Sequence, residues 1–537
     1  MTDKPSATSA GLAATLAYHQ RTKHAFERYA AGPGQMDWAT QPDPFRRYSG
    51  ASAIELPLVA DTQVVTYADL FQPGRISPHP FNRETIACLL ELSLGLSAWK
   101  GYAGDRWALR CNPSSGNLHP TEAYLIARNC GGIPDGVHHY VSHDHSLELR
   151  CAVSLPFDGA WVGLSSIHWR EAWKYGERAF RYCQHDVGHA LAALRYAAGV
   201  LGWSLEVLDG CGDADIAHLL GIDRENDYGP AEREAPDLLC RILPHTASPP
   251  DLDRLTASID RATWQGQANV LSPRHMHAWP AIDEVHHHTA KPRTETLRIN
   301  PLDLPPVLPP DCSLTASSLI RQRRSAQAFD GVTAIGQHSF FRMLDACLPR
   351  AGLPPWDAWP WKPAVHLMIF IHRVSGLAPG LYLLARRDDA VAPLQASTRK
   401  DLEWIAVEGA PPHLRLFRLA RGKSQRMAAT LSCQQAIAGD SAFSLGMLAE
   451  FEEALGEGSW HYRRLFWECG MIGQVLYLEA EAAGVRGTGI GCFYDDPVHD
   501  MLGLTGTRYQ SLYHFTVSGP ITDDRLETLP PYGHLRR

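Results

Sequence analysis

A segment with two adjacent arginines offers the most explicit binding chemistry in the chain. Arg323, Arg324 and Ser325 stand side by side in the stretch RQRRSAQAFDG. Two guanidinium forks next to a hydroxyl suit a phosphate group or the electron-rich edge of a ring. The same residues would also suit the solvated start of a basic helix, so the segment by itself leaves both interpretations open.

A second segment, PSSGN, begins at Pro113 and runs directly into apolar residues typical of a strand. Ser114 and Ser115 carry hydroxyls, and Gly116 allows a ligand to approach the backbone closely because it has no Cβ. These properties suit a flat ligand, although an ordinary surface turn has the same composition. Asn117 completes the turn.

A tandem duplication must position these segments. RYCQHDVGHALAALRYAAGVLGW, starting at Arg181, resembles RRLFWECGMIGQVLYLEAEAAGV, starting at Arg463, and the Leu-Gly steps at Gly221 and Gly503 keep the same spacing of 282 residues. In each copy, apolar residues recur at helical intervals before a glycine and a strand-like stretch. Two strand patterns precede each helix: EAYLIARN with GVHHYV, and AVHLMIFIHR with GLYLLARR. The mixture predicts an α+β unit used twice.

Two motifs imitate known sites without matching them. GTGIG, from Gly487 to Gly491, presents bare backbone but follows a helix, whereas the dinucleotide fingerprint has its glycines before a helix. His185 and His189 have the spacing of the HExxH zinc ligands, but Asp186 replaces the glutamate base. The corresponding segment of the second copy, WECGM, has no histidine. We therefore predict a packed helix there and no metal.

The repeats predict two domains, residues 1–243 and 313–537, and a connector over residues 244–312 that is rich in proline and histidine. The histidine run from His286 to His288 lies in this connector, where we expect it to be solvated. The tryptophans of WDAWPW, which are Trp356, Trp359 and Trp361, are expected to pack at an interface rather than to cage a ligand.

Composition restricts the possible partners. The 537 residues are 45% hydrophobic, and 50 basic against 58 acidic side chains give a net charge of -8, which disfavours nucleic acid and anionic membranes. The 12 cysteines form no CxxC pair, so we expect reduced thiols rather than a disulfide framework or a zinc ribbon. With neither a leader pattern nor an 18-residue apolar run, the sequence predicts a cytoplasmic protein that acts on small molecules.

Together, the Arg-Arg-Ser segment, PSSGN and GTGIG resemble the nitroreductase-like flavoprotein superfamily, whose members bind FMN. WKYGERAFRYCQHDVGH and GIGCF narrow the resemblance to the SagB/ThcOx-type dehydrogenases, the branch that includes the azoline oxidases of peptide natural-product pathways. The similarity extends from RTKHAFERYA, near the start of the chain, to YHFTVSGP, near its end. It implies two tandem nitroreductase-like domains that form an intramolecular pseudo-dimer, either monomeric or dimerised further.

The resemblance implies that FMN lies between the two units. One unit would supply the Arg-Arg-Ser segment and the glycine-rich strand, and its partner would supply the Pro-Ser turn. Gln327 departs from the basic residue usual at its position. The implied FMN-binding residues are Arg323, Arg324, Ser325, Gln327, Gly489, Ile490 and Gly491 on one side, and Pro113, Ser114, Ser115, Gly116 and Asn117 on the other.

The resemblance also implies a catalytic pair, because Lys174 and Tyr175 match the Lys-Tyr pair of the azoline oxidases. Removing two hydrogens from a substrate requires a hydride acceptor, FMN N5, and a nearby group that takes the proton. A desolvated lysine could take that proton, and the tyrosine could relay it or orient the lysine. Without the resemblance, a snorkelling lysine and a core tyrosine at a helix start would be an equally good interpretation.

The sequence therefore predicts an FMN-dependent dehydrogenase that removes two electrons from a small-molecule substrate or a peptide- or carrier-bound one. One alternative is a nitro- or quinone-reductase that takes electrons from NAD(P)H. Another, of a different class, is a flavin-binding scaffold without turnover. A second FMN site is not expected, since WPWKP replaces PSSGN, WSLEV replaces GTGIG and RTKHAF replaces the Arg-Arg-Ser segment. Trp359 and Trp361 could fill the vacated space.

Overall fold

The computed structural model describes residues 7–244, 251–297 and 302–535, and we refer to the first and last of these ranges as the first half and the second half. The helices of the first half are α1 (Ala7–Arg21), α2 (Arg83–Ser93), α3 (His168–Tyr175), α4 (Ala179–Val200) and α5 (Asp213–Leu220). Its strands are β1 (Tyr48–Ser49), β2 (Ser52–Glu55), β3 (Leu96–Tyr102), β4 (Asp105–Arg110), β5 (Thr121–Arg128), β6 (Gly136–Val141), β7 (Ser146–Ala152), β8 (Gly159–Ser166), β9 (Ser204–Val207) and β10 (Ala235–Leu243).

The middle range contributes α6 (Leu252–Ile259), β11 (Gln267–Ala268) and α7 (Pro280–His288). The helices of the second half are α8 (Ala316–Gln322), α9 (Gln337–Ala346), α10 (Val391–Ser397), α11 (Gln425–Leu431), α12 (Ala436–Gly439), α13 (Phe451–Glu457), α14 (His461–Ala482) and α15 (Asp495–Leu502). Its strands are β12 (Val365–Ile371), β13 (Gly380–Ala385), β14 (Ile405–Ala406), β15 (Arg415–Arg421), β16 (Phe443–Glu450), β17 (Arg486–Ile490), β18 (Tyr509–Ser518) and β19 (Glu527–Leu529).

Each half is built on a seven-stranded antiparallel sheet, and six strands of each sheet follow the same order. The edge strands differ, because β2 precedes β5 in the chain whereas β14 lies between β13 and β15. The strand order is β2-β7-β6-β5-β8-β10-β9 in the first half and β14-β15-β13-β12-β16-β18-β17 in the second. Matching the strands in order pairs β5 with β12, β8 with β16 and β9 with β17. The α+β fold class and the tandem duplication are thereby confirmed.

The long helices α4 and α14 cross at a pair of glycines, and this crossing joins the halves. A Cβ on Gly188 would lie 2.1 Å from the Trp467 carbonyl oxygen, and a Cβ on Gly470 would lie 2.1 Å from the His185 carbonyl oxygen. These four residues are related by the 282-residue repeat, so each contact is the symmetry mate of the other. Each helix also packs on its own sheet, which leaves both helices almost entirely buried.

The terminal segment of each half also packs against the other half. The His24 backbone N–H donates to Asp495 Oδ2 over 2.9 Å, which ties the N-terminal arm to α15. At the other end, β19 of the second half pairs with β3, and the hairpin β3–β4 completes a three-stranded sheet. One hydrophobic core cluster contains residues of both halves, so they form an intramolecular pseudo-dimer.

The predicted connector is more ordered than its composition suggests, because it contains α6, β11 and α7. His286 in α7 is half-buried against His168, with ring centroids 5.3 Å apart, and burial lowers the pKa of His286 to about 4. The expectation of a solvated histidine run is therefore wrong for His286. Residues 245–250 and 298–301 of the connector lie outside the described residues, and the domain boundaries stay a prediction.

The remaining sequence motifs are found in packed positions. Trp356, Trp359 and Trp361 are buried in the core cluster that the halves share. His185 approaches the Leu512 carbonyl oxygen at 3.0 Å, and His189 approaches the Tyr513 hydroxyl at 3.2 Å. Within the described ranges, no helix has both the length and the apolar character that a membrane span requires.

Candidate functional site

A cavity of about 570 Å³ lies at the junction of the two halves, a volume within the usual range for small-molecule sites. The turn from Pro113 to Asn117 lines one wall, and the segment that follows α8 lines the opposite wall. The cavity thus brings together two segments that lie roughly two hundred residues apart in sequence. Of the residues implied by the resemblance, it is lined by Pro113, Ser114, Ser115, Gly116, Asn117, Arg323, Arg324, Ser325, Gln327 and Gly489.

Local hydrogen bonds hold the turn between β4 and β5. Gly116 and Asn117 both have left-handed backbones, with φ of 61° and 59°, which favours glycine and asparagine there. Asn117 Nδ2 donates to the Ala108 carbonyl oxygen over 2.8 Å, and the His119 backbone N–H donates to Ser114 Oγ over 2.8 Å. The turn is therefore a rigid wall whose shape its side chains determine.

Arg323 is a buried cation without a counter-ion. Its side chain is 3% exposed, and Nη2 donates to the Arg110 carbonyl oxygen over 3.2 Å. Neither Nε nor Nη1 has a hydrogen-bond partner among the described residues, and no carboxylate of those residues forms an ion pair with the guanidinium. Because buried charges are normally paired, this unpaired guanidinium in the cavity wall favours an anion in the cavity.

Arg324 is already engaged, in contrast. Its Nη1 donates to the carbonyl oxygens of Arg321 and Arg323, each over 2.7 Å, and its Nη2 donates to the Ser97 carbonyl oxygen over 3.1 Å. Burial and the neighbouring Arg323 charge lower the pKa of Arg324 to about 10. Arg324 therefore fastens the binding segment to β3 and adds positive charge to the cavity. Lys100, Arg110 and Arg486 add more.

The rest of this wall consists of Ser325, Gln327 and the start of β17. Ser325 Oγ lies 2.8 Å from Tyr477 Oη, which also accepts the Gly489 backbone N–H over 2.9 Å. Thr488 Oγ1 donates to the Ala326 carbonyl oxygen over 2.7 Å. The segment after α8 is thus bound to β17 along its length, which gives the wall its shape.

The glycines of GTGIG are required by aromatic side chains behind the strand. A Cβ on Gly489 would lie 1.9 Å from Tyr513 Oη, and a Cβ on Gly491 would lie 2.3 Å from the Tyr182 ring. Ile490 packs into a core cluster of the second half, and neither Ile490 nor Gly491 lines the cavity. The sequence pattern indicates backbone left bare for a ligand, but packing also demands these glycines.

Lys174 and Tyr175 lie directly behind the turn, where α3 ends. A Cβ on Gly116 would be 2.6 Å from Tyr175 Oη and 3.2 Å from Lys174 Nζ, so the absence of that Cβ admits both side chains. Lys174 Nζ is 5.4 Å from the centre of the Tyr175 ring. Burial raises the pKa of Tyr175 well above its usual range. The pair adjoins the lining of the cavity without belonging to it.

Sequence reasoning missed several residues of this cavity, above all Asp186. It lines the cavity two residues before the helix crossing, whereas the sequence alone presents it only as the wrong residue of a zinc motif. His189, Tyr477 and Tyr513 line the cavity as well. The signal that could have found Asp186 is the acid at the equivalent position of the second copy, Glu468, 282 residues later.

A second, smaller cavity of about 150 Å³ lies near the indoles that replace the turn in the second copy. Trp361 lines it, and the rings of Trp359 and Trp361 pack against each other with centroids 4.7 Å apart. The volume is below the usual range for a ligand site. The two copies of the repeat have therefore diverged at the position of the cavity.

Among solved structures, the chain is similar to a putative nitroreductase from Anabaena variabilis. The TM-score is 0.67 at 21% identity, and the match covers 95% of this chain and 99% of that one. The chain has the nitroreductase-like fold. The match extends over both halves of the chain and therefore includes the cavity between them.

One sequence relative is a putative nitroreductase of Methanocaldococcus jannaschii, 27% identical over 148 residues, which are 25% of this chain and 74% of that protein. The Escherichia coli microcin synthetase complex matches 38% of this chain and 70% of its own at 16% identity, with a TM-score of 0.28 that is too low to bear on function. No protein-family model matches the chain.

Proposed function

We propose that the chain is an FMN-dependent oxidoreductase whose cofactor binds in the cavity between the two halves. The observation that carries the proposal is Arg323, which is buried in the cavity wall with two donor atoms free and no counter-ion among the described residues. The phosphate of FMN would supply the missing anion. The volume of about 570 Å³ and the nitroreductase-like fold support the same cofactor.

Residues on the two walls of the cavity would contact different parts of FMN. On the side of the second half, Arg323 and Arg324 would balance the phosphate, and Ser325 and Gln327 would add polar contacts. The backbone of β17 at Gly489 would approach the ring system, whereas Ile490 and Gly491, for which the resemblance implies the same role, do not line the cavity. On the side of the first half, the turn from Pro113 to Asn117 would cover it. FMN, when bound, supplies reversible two-electron chemistry.

Within this class we propose a dehydrogenase of the azoline-oxidase kind, acting on a small molecule or on a peptide- or carrier-bound heterocycle. The position of Lys174 and Tyr175 behind Gly116 supports it, because a proton acceptor is then adjacent to the cavity. A reductase that takes electrons from NAD(P)H is the second candidate, supported by the names of the two relatives.

Anaerobic addition of NADPH or NADH to the FMN-loaded protein separates the two candidates. We expect little bleaching of the flavin absorbance by either nucleotide, and rapid return of the absorbance when dithionite-reduced protein meets air. Rapid bleaching by a nicotinamide would instead support the reductase. Failure of the chain to bind FMN at all, tested by ultrafiltration with added FMN, would overturn both candidates.

We further expect one FMN per chain. The second copy has indoles where the first has the Pro-Ser turn, and the cavity beside them measures about 150 Å³ against about 570 Å³. FMN released by heat and quantified against polypeptide should give a ratio near one after saturation. A ratio approaching two would mean that Trp359 and Trp361 move aside and that the copies are functionally equivalent.

A further inference from the structure

Two carboxyl side chains lie buried behind the turn that lines the cavity. Glu171 of α3 and Asp186 of α4 are 0% and 2% exposed. Ser114 Oγ donates to Glu171 Oε1 over 3.3 Å, and the Ser115 backbone N–H donates to Asp186 Oδ1 over 3.3 Å. Adjacent residues of one turn therefore hold both acids, and Asp186 reaches the cavity wall.

Each carboxyl keeps one oxygen unsatisfied. Glu171 Oε2 and Asp186 Oδ2 have no hydrogen-bond partner among the described residues, and neither acid forms an ion pair there. A buried carboxylate with no cation is costly, whereas a protonated carboxyl can donate to an adjacent acceptor. The titratable groups that face the pair are Lys174 and Tyr175 of α3, Cys183 of α4 and Tyr513 of β18, of which Lys174 is the cation.

The second copy of the repeat provides an internal comparison. Glu468, equivalent to Asp186, accepts the Ala364 backbone N–H over 2.9 Å and forms an ion pair with the Arg386 guanidinium. Both contacts are buried, and the arginine neutralises the charge of the acid. At the cavity, the equivalent acid has an N–H from the turn but no arginine. The copy that carries the cavity has thus kept an acid without its counter-ion.

The electrostatics agree with this geometry. Burial raises the pKa of Asp186 to about 8. Burial, followed by the neighbouring Asp186 charge, raises the pKa of Glu171 well above its usual range. Two carboxyls in one dry site rarely ionise together, so the pair keeps a proton at neutral pH.

We propose that Asp186 is a catalytic residue that exchanges a proton with the molecule bound in the cavity, and that Glu171 is the positioning residue whose nearby carboxyl keeps that proton on Asp186. The inference rests on the proposed function. In the dehydrogenation, a substrate proton forms an O–H bond with the ionised Asp186 carboxyl, the acid that lines the cavity, as its bond to the substrate breaks. FMN, when bound, would accept the second hydrogen together with its bonding electron pair.

The first test uses the FMN-loaded full chain and its midpoint potential, which requires no substrate. Reduction adds negative charge to the cavity, so the pair should take up a proton by linkage. Between about pH 7 and 9, the pH slope of the midpoint potential should correspond to one more proton taken up per flavin reduced in the wild type than in Asp186→Asn or Glu171→Gln. Equal pH slopes in all three proteins would overturn the proposal, even if the flavin binds and turns over normally.

The second test needs no flavin and therefore separates this inference from the proposed function. Because folding raises the pKa of the Asp186 carboxyl, this group stays protonated in the folded protein at pH values where it is ionised in the unfolded chain. The free energy of unfolding of the wild type therefore falls as pH rises from about 4 to about 8. Asp186→Asn has no carboxyl at this position, so its free energy of unfolding should not show this decrease. The melting temperature of the variant relative to the wild type should rise over that window and level off above it.

Asn and Gln match the shapes of the acids they replace and retain an oxygen that accepts from the turn, so both variants should fold. Asp237→Asn provides a control, because Asp237 is another buried acid of the first half that does not line the cavity. It accepts a hydrogen bond from the Ser166 hydroxyl, with a length of 2.6 Å. Its variant should leave the pH slope of the potential unchanged. A pH-independent difference in melting temperature for Asp186→Asn would contradict a proton held on Asp186 at neutral pH.

Discussion

Lys174→Ala is expected to lower turnover by roughly 10²–10⁴, the usual contribution of a general base, while the flavin spectrum and FMN affinity stay nearly unchanged. The reason is geometric: Lys174 Nζ lies behind Gly116, next to the cavity wall but not in it. Losing its amine removes the cation beside the buried acids, which positions the proton that Asp186 exchanges, and it leaves the binding walls intact. The measurement is single-turnover reduction of the flavin by substrate, with FMN affinity determined in parallel.

Two companion variants sharpen this result. Lys174→Arg retains the charge but cannot deprotonate, so activity that survives in it would make Lys174 a positioning residue rather than the proton acceptor. Lys362→Ala is the matched control, because Lys362 lines the smaller cavity of the second copy and should not affect turnover. Full activity in Lys174→Ala would remove the residue from the mechanism.

Arg323→Ala should weaken FMN binding by about 1.5–3 kcal/mol, or roughly 10- to 150-fold in Kd, since a charge-assisted contact to the phosphate is lost. Arg324→Ala should weaken it less, because the Arg324 guanidinium already donates to three backbone carbonyl oxygens. Kd values follow from quenching of flavin fluorescence on titration with each apoprotein.

The salt dependence of binding is an internal check on this assignment. Weaker binding caused by loss of a phosphate contact should be accompanied by a smaller effect of added salt on Kd. Arg323→Lys should recover part of the affinity, because it restores the charge without the fork. If Arg324→Ala proved the more damaging variant, the phosphate would have to lie on the side of β3, where Arg324 meets Ser97.

Much of the fold was predictable because it depends on local patterns. Helical periodicity and the glycine that follows it identified α4 and α14, and alternating apolar runs identified β5, β6, β12 and β13. The 282-residue spacing then paired the two copies of the repeat. The connector was the exception, since His286 owes its burial to the distant ring of His168, which no local pattern reports.

The candidate site was predictable in its parts but not in its assembly. The sequence singled out the Pro-Ser turn and the Arg-Arg-Ser segment as chemically unusual, and the structure places both on one cavity. Which arginine keeps free donors depends on the carbonyl oxygens that surround each guanidinium, and these come partly from β3 and β4 and partly from the segment at the end of α8. The role of Asp186 likewise depends on a partner, Glu171, that belongs to a different helix.

By itself, the sequence determined the α+β class, the duplication and the segments that carry binding chemistry, because periodicity and residue type are properties of neighbouring positions. Only the tertiary structure decided which glycines face tyrosines, as Gly489 faces Tyr513 and Gly116 faces Tyr175. It also decided that Asp186 is buried without an ion pair, while Glu468 is paired with Arg386. Burial and charge pairing are set by residues distant in the chain, and these contacts distinguish two copies of one repeat.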